Sequence, residues 1–129
     1  MNSNNLRNPL KTARGWGASK SGTSHFIRQR VTAVALIGLA LYVIGLLLFC
    51  VTSLHATAID VVKHPFNAVV LIAFIIAMFW HSKLGLQAII EDYVKSPGAI
   101  VVLQLINIFV NAFAALAGVL AIVRIALGA

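Results

Sequence analysis

The residue best equipped for chemistry is His81, set in the apolar run Phe79-Trp80-His81-Ser82-Lys83-Leu84-Gly85-Leu86-Gln87-Ala88-Ile89-Ile90, which closes on Glu91-Asp92-Tyr93. Its imidazole offers a lone pair to a metal or a proton, and ionisable groups are costly at membrane depth unless something uses them. If the run is helical, Gly85, Ala88 and Asp92 fall within about 40° of His81, whereas Tyr93 lies about 120° away. Two small residues beside an imidazole leave room for a flat group or a second helix to approach the backbone. Asp92 is about 16 Å from His81 along such a helix, so the histidine sits deep while Asp92 and Tyr93 reach the interface.

Four roles are open to His81 on these residues alone: helix packing by donation to a carbonyl, a proton relay, a metal ligand, or an axial ligand of haem. His81 is the only imidazole deep in an apolar run, so a haem with two histidine ligands needs its second ligand from another chain or a second copy. A looser group, His55, Asp60, Lys63 and His64, has metal-binding residue types but fits no ligand spacing, and reads as a solvated loop. The single cysteine, Cys50, permits neither an intrachain disulfide nor a cysteine-based metal cluster.

Three apolar stretches must position these residues. Of 129 residues, 60% are hydrophobic and 10% charged. A mean hydropathy of +0.96 excludes an ordinary soluble domain. The runs cover residues 31–54, 66–90 and 99–123, each long enough for a hydrocarbon core of about 30 Å at about 20 helical residues per span. The expected fold is an all-α membrane protein of three transmembrane helices (residues 31–129) behind a basic cytoplasmic arm (residues 1–30). The first run exceeds a signal-peptide core and should be retained. Pro65 is suited to opening the second helix, and Pro97-Gly98 breaks chain direction before the third.

Six of the ten Lys and Arg (Arg7, Lys11, Arg14, Lys20, Arg28, Arg30) precede the first span. This places the N-terminus in the cytoplasm and, after three crossings, the C-terminus on the outer side. The arm lacks the interleaved aromatics of a single-strand binder, so the net charge of +7 speaks of topology and lipid, and no nucleic-acid partner is expected. Trp16 is a candidate headgroup anchor or partner contact. Lys83 can snorkel to the interface. Gly38 and Gly45, seven apart, suit close helix packing, and Gln104, Asn107 and Asn111 form a polar stripe expected to hydrogen-bond between helices.

The run His81-x-x-x-Gly85 followed by Asp92-Tyr93, with Gly22-Thr23-Ser24-His25-Phe26-Ile27-Arg28-Gln29-Arg30-Val31-Thr32-Ala33 at the entrance to the first span, resembles the hydrophobic membrane anchor (D) subunits of succinate dehydrogenase, respiratory complex II. The resemblance extends over essentially the whole chain. It implies that His81 is an axial ligand of haem b, the other ligand coming from the partner anchor subunit. It implies that Tyr93 hydrogen-bonds a ubiquinone carbonyl, with Asp92 beside it. Arg30 is the best match, and Arg28 and His25 weaker ones, for basic residues near the haem propionates or the quinone.

On that resemblance the chain is not a catalyst alone. It is one anchor of a succinate:ubiquinone oxidoreductase that links the tricarboxylic acid cycle to the respiratory chain. Its partners would be a cytochrome b anchor subunit, an iron-sulfur subunit and a flavoprotein subunit. The expected site is the bacterial inner membrane, in preference to the mitochondrial one. A related fumarate reductase anchor is the nearest alternative. A small proton-coupled transporter is a second, although no carboxylate lies within the three spans.

Overall fold

The computed structural model describes residues 19–52 and 55–128; the side chains of residues 19–22, His25 and residues 55–57 are outside that description, as are the arm residues Arg7, Lys11, Arg14 and Trp16. Four helices follow in order: α1 (Ser19–Val51), α2 (His55–Lys63), α3 (Pro65–Tyr93) and α4 (Pro97–Leu127). Three of them, Phe26–Val51 within α1 and the whole of α3 and α4, are long and apolar enough to cross a membrane. The all-α, three-span expectation holds.

Local chemistry sets the helix ends. His64 and Ser96 are extended N-cap residues, and Pro65 and Pro97 follow at the first helical positions, where the missing N–H costs no hydrogen bond. Only residues 94–96 separate α3 from α4, so these two must run antiparallel as neighbours. Helix α4 ends on Gly128 in the left-handed region (φ 76°), with its N–H returned to Arg124 and Ile125 carbonyls.

Two expectations need correction. Residues 55–63 form a helix where a loop was expected; Ala58, Ile59, Val61 and Val62 give it an apolar side, and the helix packs on α4, α3 and α1. Gly38 and Gly45 pack on no described residue: a Cβ at either would meet nothing within 4 Å. The close approach falls at Gly118 instead, where a Cβ would lie 2.8 Å from Ile75 Cδ1 across the α3–α4 seam.

Helix α3 is the middle of the molecule. It packs on α1 and on α4, while the described residues of α1 and α4 do not touch each other, so the three long helices form an open row. Few side chains are buried: Val43, Ala68, Leu84 and Ile122 among the apolar ones, with Leu84 only 2% exposed. Lipid is as apolar as leucine, so packing and hydrogen bonds between helices must hold such a row.

The polar stripe supplies hydrogen bonds. Asn107 Nδ2 donates to the Lys83 carbonyl (3.0 Å) and Asn111 Nδ2 to Asn107 Oδ1 (2.7 Å), both asparagines being buried. Gln104 Nε2 reaches the Gln87 carbonyl and Glu91 Oε1, each at 3.4 Å. At the other end Tyr42 donates to Asn67 Oδ1 (2.6 Å) and Asn67 Nδ2 to the Val61 carbonyl (2.7 Å), tying α1, α3 and α2 together.

Candidate functional site

His81 is half-buried on the α1 side of α3, and its Nδ1 lies 2.9 Å from Thr32 Oγ1. The Thr32 hydroxyl is itself 3.0 Å from the carbonyls of Arg28 and Gln29, one turn back on α1. A hydroxyl carries one proton and two lone pairs. With the proton directed to those carbonyls, the oxygen accepts, and His81 must donate from Nδ1. In that arrangement Nε2 bears the free lone pair, the form in which imidazoles bind metals.

Room exists beside this nitrogen's helix face. A Cβ built on Gly85 would meet nothing within 4 Å, so the face one turn beyond His81 is bare. An oriented imidazole next to open, largely apolar surface fits a planar macrocycle of the haem type. The described residues contain no group of three or more His, Cys, Asp or Glu that could hold a metal ion.

Asp92 and Tyr93 end α3, both exposed, Tyr93 at 81%. No described residue engages either side chain. Arg28 Nε donates to the Ser24 carbonyl (3.2 Å), and the Arg30 guanidinium sits 5.0 Å from the centroid of the Phe26 ring. Arg28 precedes Thr32 by one turn and shares its side of α1, whereas Arg30 is about 200° from Thr32 and projects from the opposite side. The structure thus brings His81 and the Thr32 turn together and leaves Arg30 apart from them within this chain. His25 falls outside the described side chains.

Thr32 is the residue the sequence reading missed. Its signal was slight: a hydroxyl at the first turn of an apolar span, four residues after an arginine. The Lys83 ammonium rests 6.0 Å from the centroid of the Trp80 ring, one turn towards the N-terminus of α3.

Over residues 4–123 the chain matches the family described as the succinate dehydrogenase/fumarate reductase transmembrane subunit. It belongs to that family. Similar members are the succinate dehydrogenase hydrophobic membrane anchor subunits of Rickettsia bellii (32% identical, covering 70% of this chain and 72% of the relative) and Rickettsia conorii (34%, covering 64% and 67%). That of Rickettsia typhi is 38% identical over 60% of this chain and 62% of its own. No solved structure matches. Membership in a transmembrane subunit family agrees with the three long apolar helices, and the matched range contains every site residue discussed above.

Proposed function

We propose that this chain is the hydrophobic membrane anchor subunit of a bacterial succinate dehydrogenase, contributing one axial haem b ligand and part of the ubiquinone-reduction site. The observation that carries the reading is the 2.9 Å Thr32–His81 contact beside the bare Gly85 face, which supports an imidazole that donates from Nδ1 and offers its Nε2 lone pair. His81 would hold the iron from this side, and a histidine of the partner cytochrome b anchor subunit from the other. When bound, the haem supplies a one-electron redox centre.

The chain's own residues bind, orient and donate protons in hydrogen bonds. Thr32 orients His81. Arg28, on the Thr32 side of α1, and Arg30 and His25 near it in sequence, are assigned to the haem propionates or the quinone region, where guanidinium makes charge-assisted hydrogen bonds to carboxylates. Tyr93 donates to a quinone carbonyl whose negative charge grows on reduction, with Asp92 beside it. Residues 1–30 form a cytoplasmic arm, which puts the Asp92–Tyr93 end of α3 on the cytoplasmic side, where the iron-sulfur and flavoprotein subunits dock. Succinate oxidation belongs to those subunits, because one cysteine cannot hold an iron-sulfur cluster. The relatives' printed names favour succinate oxidation over fumarate reduction.

Purification of the tagged chain from its native membrane in mild detergent tests this reading. A low-spin b-type spectrum and three co-purifying subunits are expected, with His81→Leu abolishing or altering that spectrum. An unchanged spectrum and haem stoichiometry in an intact His81→Leu complex overturns the ligand assignment.

A further inference from the structure

The side of α3 that faces away from His81 carries a second feature. Phe79, Trp80 and Lys83 of α3 and Asn111, Ala112 and Ala115 of α4 border a groove of about 280 Å³ along the seam of the two helices. Small residues on α4 open it and large apolar ones on α3 floor it. Lys83 is about 200° from His81 around α3, so this groove lies on the opposite side from the Thr32–His81 pair.

One cation stands in this apolar setting without a counter-charge. Lys83 is half-buried, its ammonium against the Trp80 ring, and no described carboxylate pairs with it. The nearest acid along the helix, Glu91, accepts instead from Gln87 Nε2 (2.9 Å) and Gln104 Nε2 (3.4 Å). An aromatic face offsets only part of an ammonium's lost hydration. The remaining demand is for an anion.

Depth identifies the anion's carrier. The Gln87–Glu91–Gln104 cluster marks the level at which α3 and α4 meet polar surroundings, and Lys83 is about 6 Å below Gln87 along the axis. That level is just under a headgroup layer, within reach of a phosphate at the top of a groove and continuous with hydrocarbon along its floor. We propose that this groove is a binding site for an anionic phospholipid, its phosphate on the Lys83 ammonium and one acyl chain lying between α3 and α4 past Trp80 and Ala112. The site is separate from the haem and quinone assignments and stands without them.

Trp80 is a built-in reporter, since Trp16→Phe leaves it the sole tryptophan. The full chain with that substitution, in nanodiscs, is compared with equal mole fractions of acyl-brominated phosphatidylglycerol or phosphatidylcholine. One basic residue near the headgroups enriches anionic lipid about fivefold, so brominated phosphatidylglycerol should quench Trp80 far more strongly than brominated phosphatidylcholine. Lys83→Gln should equalise the two, while Lys83→Arg, keeping the charge, should retain the preference. Equal quenching by both lipids in the Trp16→Phe chain overturns the proposal. So does a preference that survives Lys83→Gln, or displacement of the brominated phosphatidylglycerol by added ubiquinone, which would give the groove to a quinone.

Discussion

A threonine hydroxyl 2.9 Å from His81 Nδ1 couples the tautomer of the imidazole to the direction of the hydroxyl proton. The contact spans 49 positions of sequence, so no local pattern announces it. Outer partners of metal-binding histidines commonly change metal affinity or activity 10–100-fold when removed. Thr32→Val keeps the shape and deletes the acceptor. It should weaken haem retention about tenfold in a detergent-exchange assay, with Thr32→Ser near wild type. Equal haem loss from Val and Ser would return Thr32 to simple packing. Tyr93 presents the complementary case, a phenol that no described residue engages. Tyr93→Phe preserves the ring and its interfacial packing, so only the donor is lost. A donor aimed at developing charge is worth about 2.7–4 kcal/mol in a water-excluded site, and an interfacial pocket should fall near or below the lower figure. Succinate-to-quinone turnover should drop at least about tenfold, while succinate oxidation by an acceptor upstream of the quinone is kept. Wild-type quinone turnover in the variant would place Tyr93 in the aromatic belt.

At the scale of elements, the long spans and the amide stripe were legible because both rest on local periodicity: apolar runs of spanning length, and Gln104, Asn107 and Asn111 on one face of α4. The amides do bond to α3, through its Lys83 and Gln87 carbonyls. Glycine spacing was legible but its meaning was not, because Gly38 and Gly45 repeat along α1 with no described helix against them, whereas Gly118 stands alone and is the one in contact among the described glycines. Helix α2 escaped because His55, Thr57, Asp60 and Lys63 give it the composition of a polar connection, and its stability comes from docking on the three long helices. The Gly118 contact carries a prediction. Alanine there needs only the end of Ile75 to move, but valine adds branches that the seam cannot hold without separating α3 from α4. Overpacking of this kind costs about 1–3 kcal/mol. Gly118→Val should lower the detergent-unfolding midpoint, and Ile75→Ala should restore much of the loss in the double variant. Additive losses in that double-mutant cycle would show that the two side chains do not meet.

On the scale of the whole molecule, an open row with α3 in the middle explains why the site residues collect on one element: α3 alone touches both other spans, and it carries His81 near the Thr32 turn and Asp92–Tyr93 at its end. Helix α3 has 29 residues and is therefore about 43 Å long, more than a hydrocarbon core of about 30 Å, so its ends must emerge on both sides. The positive-inside rule gives the expected cytoplasmic end. Arg28 and Arg30 lie at the same end of the row as Lys95, while Lys63 and Arg124 lie at the other. With Arg7, Lys11, Arg14 and Lys20, six basic residues precede the first span in sequence, and the positive-inside rule assigns the end where that span starts, the Tyr93 end of α3, to the cytoplasm. The lone cysteine makes the test simple. In a Cys50→Ser background, His64→Cys reports the turn between α2 and α3, and Ser96→Cys the turn between α3 and α4, the two turns lying at opposite ends of α3. A membrane-impermeant maleimide added to intact spheroplasts should label the chain carrying His64→Cys, and should label that carrying Ser96→Cys only after permeabilisation. The reverse pattern would put Tyr93 on the outer face, away from any cytoplasmic iron-sulfur partner, and would remove the quinone-reduction assignment together with the topology.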